Sequence, residues 1–470
     1  MSDYDLVIIG NTAAARAAAI EAVKLGSRVA LVLPSTDSLT IQTQKDLYPC
    51  ALGEIAKSYR VDPSRLQSPT SYSWKYANLA IERIEQQTDP ALLAARGVDL
   101  LVGMGEFCRR PHLAFQINDR SLRATAYLIA TGGISPYPIV PGLQAAGYLT
   151  VDRLPTLADG QIPVRWAIIG DEAVGVELAQ TLARLGCQVT LIIESEQILP
   201  YEDPEIASLL QAQLEADGVQ IYLESSVTSI KSDSQAKIVV LGDDSIAVDE
   251  IFIALPDRPL VEPFNLVGVG IEYNEKGISV DKHFRTSHRQ IYACGSVCGN
   301  VLGGYRSNSL TEYEAKIAVH NALFKRKTKV DYRSYNNLPW AVYTDPPLAR
   351  VGMTIETARN GKRRDLIILK HDLIDCTQAI LANKTSGLCQ IIVDRQGRIL
   401  GAAIVGQNAP ELITTIALAI QHRLKITDLT IAASLSPSYS ELLDRTAREW
   451  FSISHTPDNW FKRLFNWGKK

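Results

Sequence analysis

The chain is 470 residues long, 46% hydrophobic and 21% charged, with 30 glycines and 22 prolines. That length holds roughly three domains of about 150 residues, and that composition excludes disordered, collagen-like and low-complexity chains. Forty-eight Lys and Arg against 51 Asp and Glu leave a net charge of −3, so no nucleic acid partner is expected for the molecule as a whole and charge-driven binding must be read locally.

The opening, MSDYDLVIIG, has no basic stretch or cleavage pattern. The seven scattered cysteines (Cys50, Cys108, Cys187, Cys294, Cys298, Cys376, Cys389) fit a reducing compartment better than a disulfide framework. A cytoplasmic location is expected. Apolar runs such as LITTIALAI at 412–420 fall short of the roughly 18 residues needed to span a bilayer.

From Tyr4 the sequence YDLVII reads as a buried strand, followed by Gly10, the helical AAARAAAIEAVKL ending at Gly26, and a second strand, RVALVL. This is a βαβ unit of the Rossmann type. The same grammar recurs at WAII (166–169), Gly170, AVGVELAQTLARL, Gly186 and QVTLII (188–193). A third landmark is LRATAYLIATGGISPYPIVPG at 122–142, and a fourth is DKHFRTSHRQIYACGSVCG at 281–299. The C-terminal part contributes WAVYTDPPLARVGMT at 340–354, GRILGAAIVGQNAPELI at 397–413 and SPSYSELL at 436–443.

In their order and spacing these motifs resemble the pyridine nucleotide-disulfide oxidoreductases, that is, dihydrolipoamide dehydrogenase, glutathione reductase and mercuric reductase-like members, over about residues 3–450. The resemblance implies an α/β fold with two Rossmann-like dinucleotide-binding domains and a C-terminal α+β dimerisation domain. It assigns residues 1–150 and 282–335 to an FAD-type domain, 151–281 to an NAD(P)-type domain and 336–450 to an interface domain, with 451–470 left as a tail. It also implies a homodimer, and electron flow from NAD(P)H through flavin to a cysteine pair served by a His-Glu acid/base pair.

Position by position, the implied sites are altered. The first fingerprint, G-x-G-x-x-G in the family, is Gly10, Thr12 and Ala15, with the Thr12 hydroxyl placed to meet a phosphate oxygen. Leu33 replaces the acid expected to hold the adenosine ribose, and Gly295-Ser296 replaces a Gly-Asp pair. Ala130, Thr131 and Gly132 match the family's ATG segment, which also supports the fold without ligand. These residues leave FAD binding open.

The second fingerprint is Gly170, Glu172 and Gly175, with Ala173 at the family's gating aromatic, followed by the family-like Glu177. A carboxylate facing a pyrophosphate makes NAD(H) binding weak or absent. Glu194 would accept ribose hydroxyls and repel a 2′-phosphate, unless it is a plain solvated loop acid.

The stretch 34–60 holds one cysteine, Cys50, where the family carries a pair; with Pro49 aligned, Gln42 and Leu47 take the two redox positions. Disulfide exchange needs two thiols, so dithiol chemistry and disulfide reductase activity are expected to be absent. Cys294 and Cys298 read as small buried residues rather than a substitute pair, and no metal site is expected. Glu441 keeps the family's acid, but its histidine partner is Ser436, which cannot exchange protons near neutral pH, so no catalytic residue is assigned.

In the tail, Trp460, Phe461, Leu464, Phe465 and Trp467 share one face of a helical repeat, and Lys462, Arg463, Lys469 and Lys470 add positive charge. Such a segment suits an anionic membrane surface, a partner's groove or the protein's own dimer. Two functions follow: a divergent flavin-dependent NAD(P)H oxidoreductase acting on a non-thiol acceptor such as a quinone, or a pseudoenzyme serving as a dimeric binding or assembly factor.

Overall fold

The computed structural model describes residues 2–34, 47–59, 71–159, 162–232, 236–299, 307–324, 338–361, 365–431 and 435–454. The chain forms two compact units, one of Met1–Glu196 with Asp217–Arg333, the other of Gln197–Ala216 with Ser334–Lys470.

The first unit contains two parallel sheets. One has the strand order Ile291–Ala293, Ala124–Ile129, Tyr4–Ile9, Val29–Leu33, Val98–Val102, every pair parallel. Its central strand is covered on both faces, with Leu6, Val7, Ile8 and Ile9 fully buried, which is why it reads as an unbroken apolar run rather than an alternating one. The helix Ala13–Lys24 buries Ala15, Ala18, Ala19 and Ala22 completely and packs on the helix Asn308–Leu323. Alanine is required there because the two helices approach closely.

Beside this sheet lies a three-stranded antiparallel meander, Gly105–Cys108, Ala114–Ile117 and Arg120–Leu122. Phe107 anchors it, packing edge-on against Phe115 at 5.1 Å and Tyr127 at 5.5 Å between ring centres. The second parallel sheet has the order Gln220–Tyr222, Gln188–Ile192, Arg165–Ile169, Glu250–Ile253. A second meander, Ser229–Ser232, Lys237–Leu241 and Asp244–Val248, shares its core through Ile230, Val239 and Val248.

The second unit is built on a five-stranded antiparallel sheet, ordered Trp340–Val342, Leu348–Gly352, Ile399–Val405, Leu388–Asp394, Leu366–Asp372. The helices Ala409–Gln421 and Glu441–Ser454 close its core through Ile413, Ile416, Leu442 and Ala447. The α/β fold expected from the sequence is therefore present, with a C-terminal α+β unit.

One helix joins the second unit from a distant part of the chain. Pro204–Ala216 lies within the 151–281 stretch, yet it packs against the strand Ile399–Val405. Polar groups around Asp203 hold it there: Asp203 accepts from Gln390 Nε2 at 2.8 Å and Ile355 N at 3.0 Å. Glu202, with no side-chain exposure, pairs with Arg350 Nε at 2.9 Å, and Arg350 lies 5.0 Å over the Trp340 ring.

Candidate functional site

The strand Tyr4–Ile9 ends at Gly10, whose φ is +146° and where a Cβ would sit 2.1 Å from the Ala130 carbonyl oxygen. Only glycine fits that turn. Thr12 then caps the helix Ala13–Lys24, its Oγ1 accepting from Ala15 N at 3.2 Å and donating to Ala130 O at 2.8 Å. The hydroxyl expected to meet a phosphate oxygen is thus already engaged in tying the turn together. Ala15 is fully buried, in keeping with the third fingerprint position.

The 130–132 segment lies directly behind this turn. Thr131 Oγ1 donates to Leu260 O at 2.8 Å, and Gly132 takes φ +78° with its open side against the Thr12 methyl. Gly295, at φ +78°, opens a short turn, Gly295–Cys298, and its N–H donates to Glu314 Oε2 at 2.5 Å. Ser296 is half-buried beside it. Gly295 also lies near Ala14, so the structure brings Gly10, Thr12, Ala15, Ala130, Thr131, Gly132, Gly295 and Ser296 to one end of the parallel sheet. Leu33, at the end of the neighbouring strand, is 3% exposed and apolar.

Two buried ionisable residues here escaped the sequence reading. Glu314 is 1% exposed on the helix Asn308–Leu323, and Arg16 is 1% exposed on the first helix. Arg16 donates to Thr88 O at 2.6 Å and to Asn11 Oδ1 at 2.9 Å, while its Nε has no partner among the described residues. Burial pulls its pKa down, against the opposing pull of Glu85 and Asp89, and burial pushes the Glu85 carboxyl up to about 7. With no acid in the first helical turn and a guanidinium bonded to the turn residue Asn11, this end of the sheet suits an anionic dinucleotide phosphate.

The second turn differs in charge. Gly170 has φ +124° and a Cβ there would lie 2.2 Å from Ala254 O; one on Gly175 would lie 2.5 Å from the Ala254 side chain. Both glycines serve close packing. Glu172 precedes the helix Ala173–Arg184 without a side-chain capping bond to it, and Asp171 accepts from Ser195 Oγ at 3.0 Å. Glu194 is exposed and accepts from Ser226 Oγ at 3.1 Å. Two acidic residues, Asp171 and Glu172, therefore stand side by side at this turn. Glu177 is buried and accepts from Cys50 Sγ at 3.8 Å, so the one cysteine of the 34–60 stretch faces a carboxylate.

All seven cysteines are free. Cys294 and Cys298 are buried at a strand end and in the following short turn. Burial pushes the Cys187 and Cys389 thiols up to about 12, which makes them inert. Leu47 immediately precedes the helix Tyr48–Tyr59, while Gln42 lies outside the described residues. No group of three or more metal-ligating side chains occurs among the described residues.

In the second unit, Glu441 opens the helix Glu441–Ser454 and is 6% exposed. Its Oε2 accepts from Thr377 Oγ1 at 2.9 Å and from Arg445 at 3.4 Å. Burial alone would raise this carboxyl, but hydrogen bonds from Ser436, from Thr377 and from the Ser438 backbone outweigh it and hold the group below its ordinary range. Ser436 therefore lies near enough to Glu441 to lower its carboxyl pKa. The tail residues Trp460, Phe461, Lys462, Arg463, Leu464, Phe465 and Trp467 lie outside the described residues, and among the described residues no helix is long and apolar enough to cross a membrane.

Comparison with known proteins accounts for the architecture. The family model described as pyridine nucleotide-disulphide oxidoreductase matches residues 4–321, and the dimerisation domain of that family matches residues 338–447. A mercuric reductase of Staphylococcus aureus is 30% identical over 445 residues, covering 91% of this chain and 79% of its own. The probable pyridine nucleotide-disulfide oxidoreductase RclA of Escherichia coli is 28% identical, covering 94% of this chain and 98% of its own. Among solved structures, the HOCl-induced flavoprotein disulfide reductase RclA superimposes with a TM-score of 0.82 at 25% identity, over 94% of this chain and 98% of that one. With both family regions matched in order over the elements described above, the chain belongs to the pyridine nucleotide-disulphide oxidoreductase family.

Proposed function

We propose that the protein is a homodimeric, cytoplasmic FAD-type oxidoreductase that works without dithiol-disulfide exchange and passes electrons to a non-thiol acceptor. On this reading residues 1–150 and 282–335 form the FAD-type domain, 151–281 the NAD(P)-type domain and 336–450 the interface domain. What supports it is that Glu441 is held by Thr377 and Arg445, with Ser436 rather than an imidazole at the first position of the sequence SPSYSELL. A serine hydroxyl cannot protonate a thiolate leaving group. The stretch 34–60 agrees, because its single thiol, on Cys50, is turned to Glu177 rather than to a second thiol.

FAD, when bound, supplies the electron chemistry. The residues of the chain bind and orient: Gly10 and Gly132 keep the turn open, Glu314 fixes the Gly295 N–H, and Arg16 balances phosphate charge through Asn11. NAD(H) binding at the Gly170 turn is weak, owing to Asp171 and Glu172. The aromatic, basic segment at 455–470 attaches the enzyme to an anionic membrane surface, where quinone-like acceptors dissolve.

The first test is a visible absorption scan of the purified protein, with a denatured aliquot to identify any released chromophore. A stoichiometric flavin spectrum, followed by reduction of a quinone or dye and not of a disulfide, is the expected result. A protein that stays colourless after incubation with FAD overturns it. The two acids at the Gly170 turn favour the second reading in that event, a dimeric binding or assembly factor without catalysis. Loss of co-sedimentation with anionic vesicles on deletion of residues 457–470 tests the membrane role.

A further inference from the structure

The glycine turns of the first parallel sheet lie at the C-terminal ends of its strands, opposite the end at which the strands Ala124–Ile129 and Ile291–Ala293 begin. There three chain segments meet. The hairpin between Gly105–Cys108 and Ala114–Ile117 carries Arg109, Arg110 and His112, all exposed. The entry to the strand Ala124–Ile129 carries exposed Arg123, and the entry to Ile291–Ala293 carries half-buried His288 and exposed Arg289.

Their proximity is fixed by bonds in the scaffold. Tyr127 OH donates to Leu113 O and to Leu122 O, both at 3.1 Å, which ties the hairpin to the start of the central strands. Tyr127 N donates to Gln290 O at 2.9 Å, and Ile291 pairs with Tyr127 in parallel register, which places the 288–290 turn beside residue 125. His288 senses the result. After burial itself, Arg109 and Arg289 are the causes that push its pKa below the ordinary histidine range, so both guanidiniums lie close to the imidazole.

Among the described residues, Arg109, Arg110, Arg123 and Arg289 carry no ion pair, although the chain as a whole is net negative. Asp3, whose backbone bonds to Arg123 O at 2.9 Å, and Glu272, whose N–H donates to Ser287 Oγ at 3.0 Å, are acids beside the patch. Arginine forks match carboxylates and phosphates alike, so the surroundings must decide between partners. No exposed large hydrophobic side chain lies at 108–125 or 286–290. An interfacial membrane site needs such side chains for insertion, and a single-stranded nucleic acid site needs aromatic rings for stacking. A purely charged partner needs neither.

We propose that Arg109, Arg110, Arg123 and Arg289 form a docking surface for an acidic protein segment, at the end of the sheet remote from the glycine turns. It is independent of the tail and of whether a flavin is bound.

The test uses the full chain and a fluorescein-labelled polyglutamate peptide in an anisotropy titration at low salt, repeated with residues 457–470 deleted so that the basic tail does not contribute. The expected result is binding that weakens with added salt and falls about tenfold in R109E/R289E, in line with a modest contribution from each exposed pair. Circular dichroism and the melting temperature report whether the charge reversal leaves the fold intact, and R109Q/R289Q gives the same comparison with a smaller change. Equal peptide affinity in wild type and variants overturns the proposal. So does a larger loss, on the same substitutions, of binding to phosphatidylserine vesicles or to a single-stranded oligonucleotide.

Discussion

The methyl group of Thr12 and the bare α-carbon of Gly132 are complementary: a Cβ on Gly132 would lie 2.7 Å from Thr12 Cγ2. Residue 12 is where a glycine would let a pyrophosphate approach, so the side chain that caps the helix also fills room a dinucleotide would use. Thr12→Gly is expected to lower stability by about 1–2 kcal/mol, through loss of the cap and of the bond to Ala130 O, while tightening FAD several-fold. Thermal melts and a flavin-fluorescence titration measure the two effects; weaker flavin binding in the variant would remove Thr12 as the limiting residue.

At the Gly170 turn the objection is electrostatic rather than steric. Glu172→Gln removes one of two adjacent carboxylates, and NADH affinity is expected to rise about tenfold, the scale of a like-charge contact in a partly wet site. Quenching of protein fluorescence by NADH reads this directly, and an unchanged affinity would place the barrier elsewhere.

Glu202 makes stability depend on pH. Burial, opposed by Arg350, pushes its carboxyl up to about 7 from an ordinary 4.5. The folded state therefore holds a proton that the unfolded chain releases, and stability falls as pH rises from 4.5 to 7, then levels off. Relative to wild type, Glu202→Gln is expected to gain melting temperature between pH 5 and pH 8, by no more than roughly 3 kcal/mol in free energy. Melts across that range decide it, and a constant difference would mean that Glu202 ionises normally.

Glu441 behaves in the opposite sense. Despite burial, its hydrogen bonds hold the carboxyl below 4.5, so its contribution is present above that pH and is lost as pH falls through the lower folded value. Thr377→Val removes the 2.9 Å bond and is expected to cost about 1–3 kcal/mol at pH 7, less near pH 3. Denaturant unfolding at both pH values measures the difference. Ser436→His alone is expected to give no disulfide reductase activity, since the 34–60 stretch still has one thiol.

Much of this was legible in the sequence because it rests on periodicity and on glycine. The run YDLVII is buried on both faces and so is continuously apolar, and Gly10 and Gly170 stand where any Cβ would strike a carbonyl. Arg16 was less visible, though a cation between two runs of three alanines in AAARAAAIEAVKL marks a place where charge must be held inside. Glu314, Thr377 and the Arg350–Glu202 pair left no such trace. Their partners lie far away in the chain, and a carboxylate on a helix reads the same whether it meets solvent or the Gly295 N–H. The engagement of Thr12 with Ala130 was hidden for the same reason.

The helix Pro204–Ala216 has a practical consequence for anyone who wants the second nucleotide-type lobe by itself. The residues that lead into it, Glu202 and Asp203, are bonded to Arg350, Ile355 and Gln390, and the helix itself touches the strand Ile399–Val405. A gene fragment cut at residues 151 and 281 would therefore strip Glu202 and Asp203, both buried in the whole chain, of these partners, and leave their carboxylates unsatisfied. Replacing 197–216 with a short flexible linker is the better excision, because it leaves behind the segment whose polar anchors lie in the other unit.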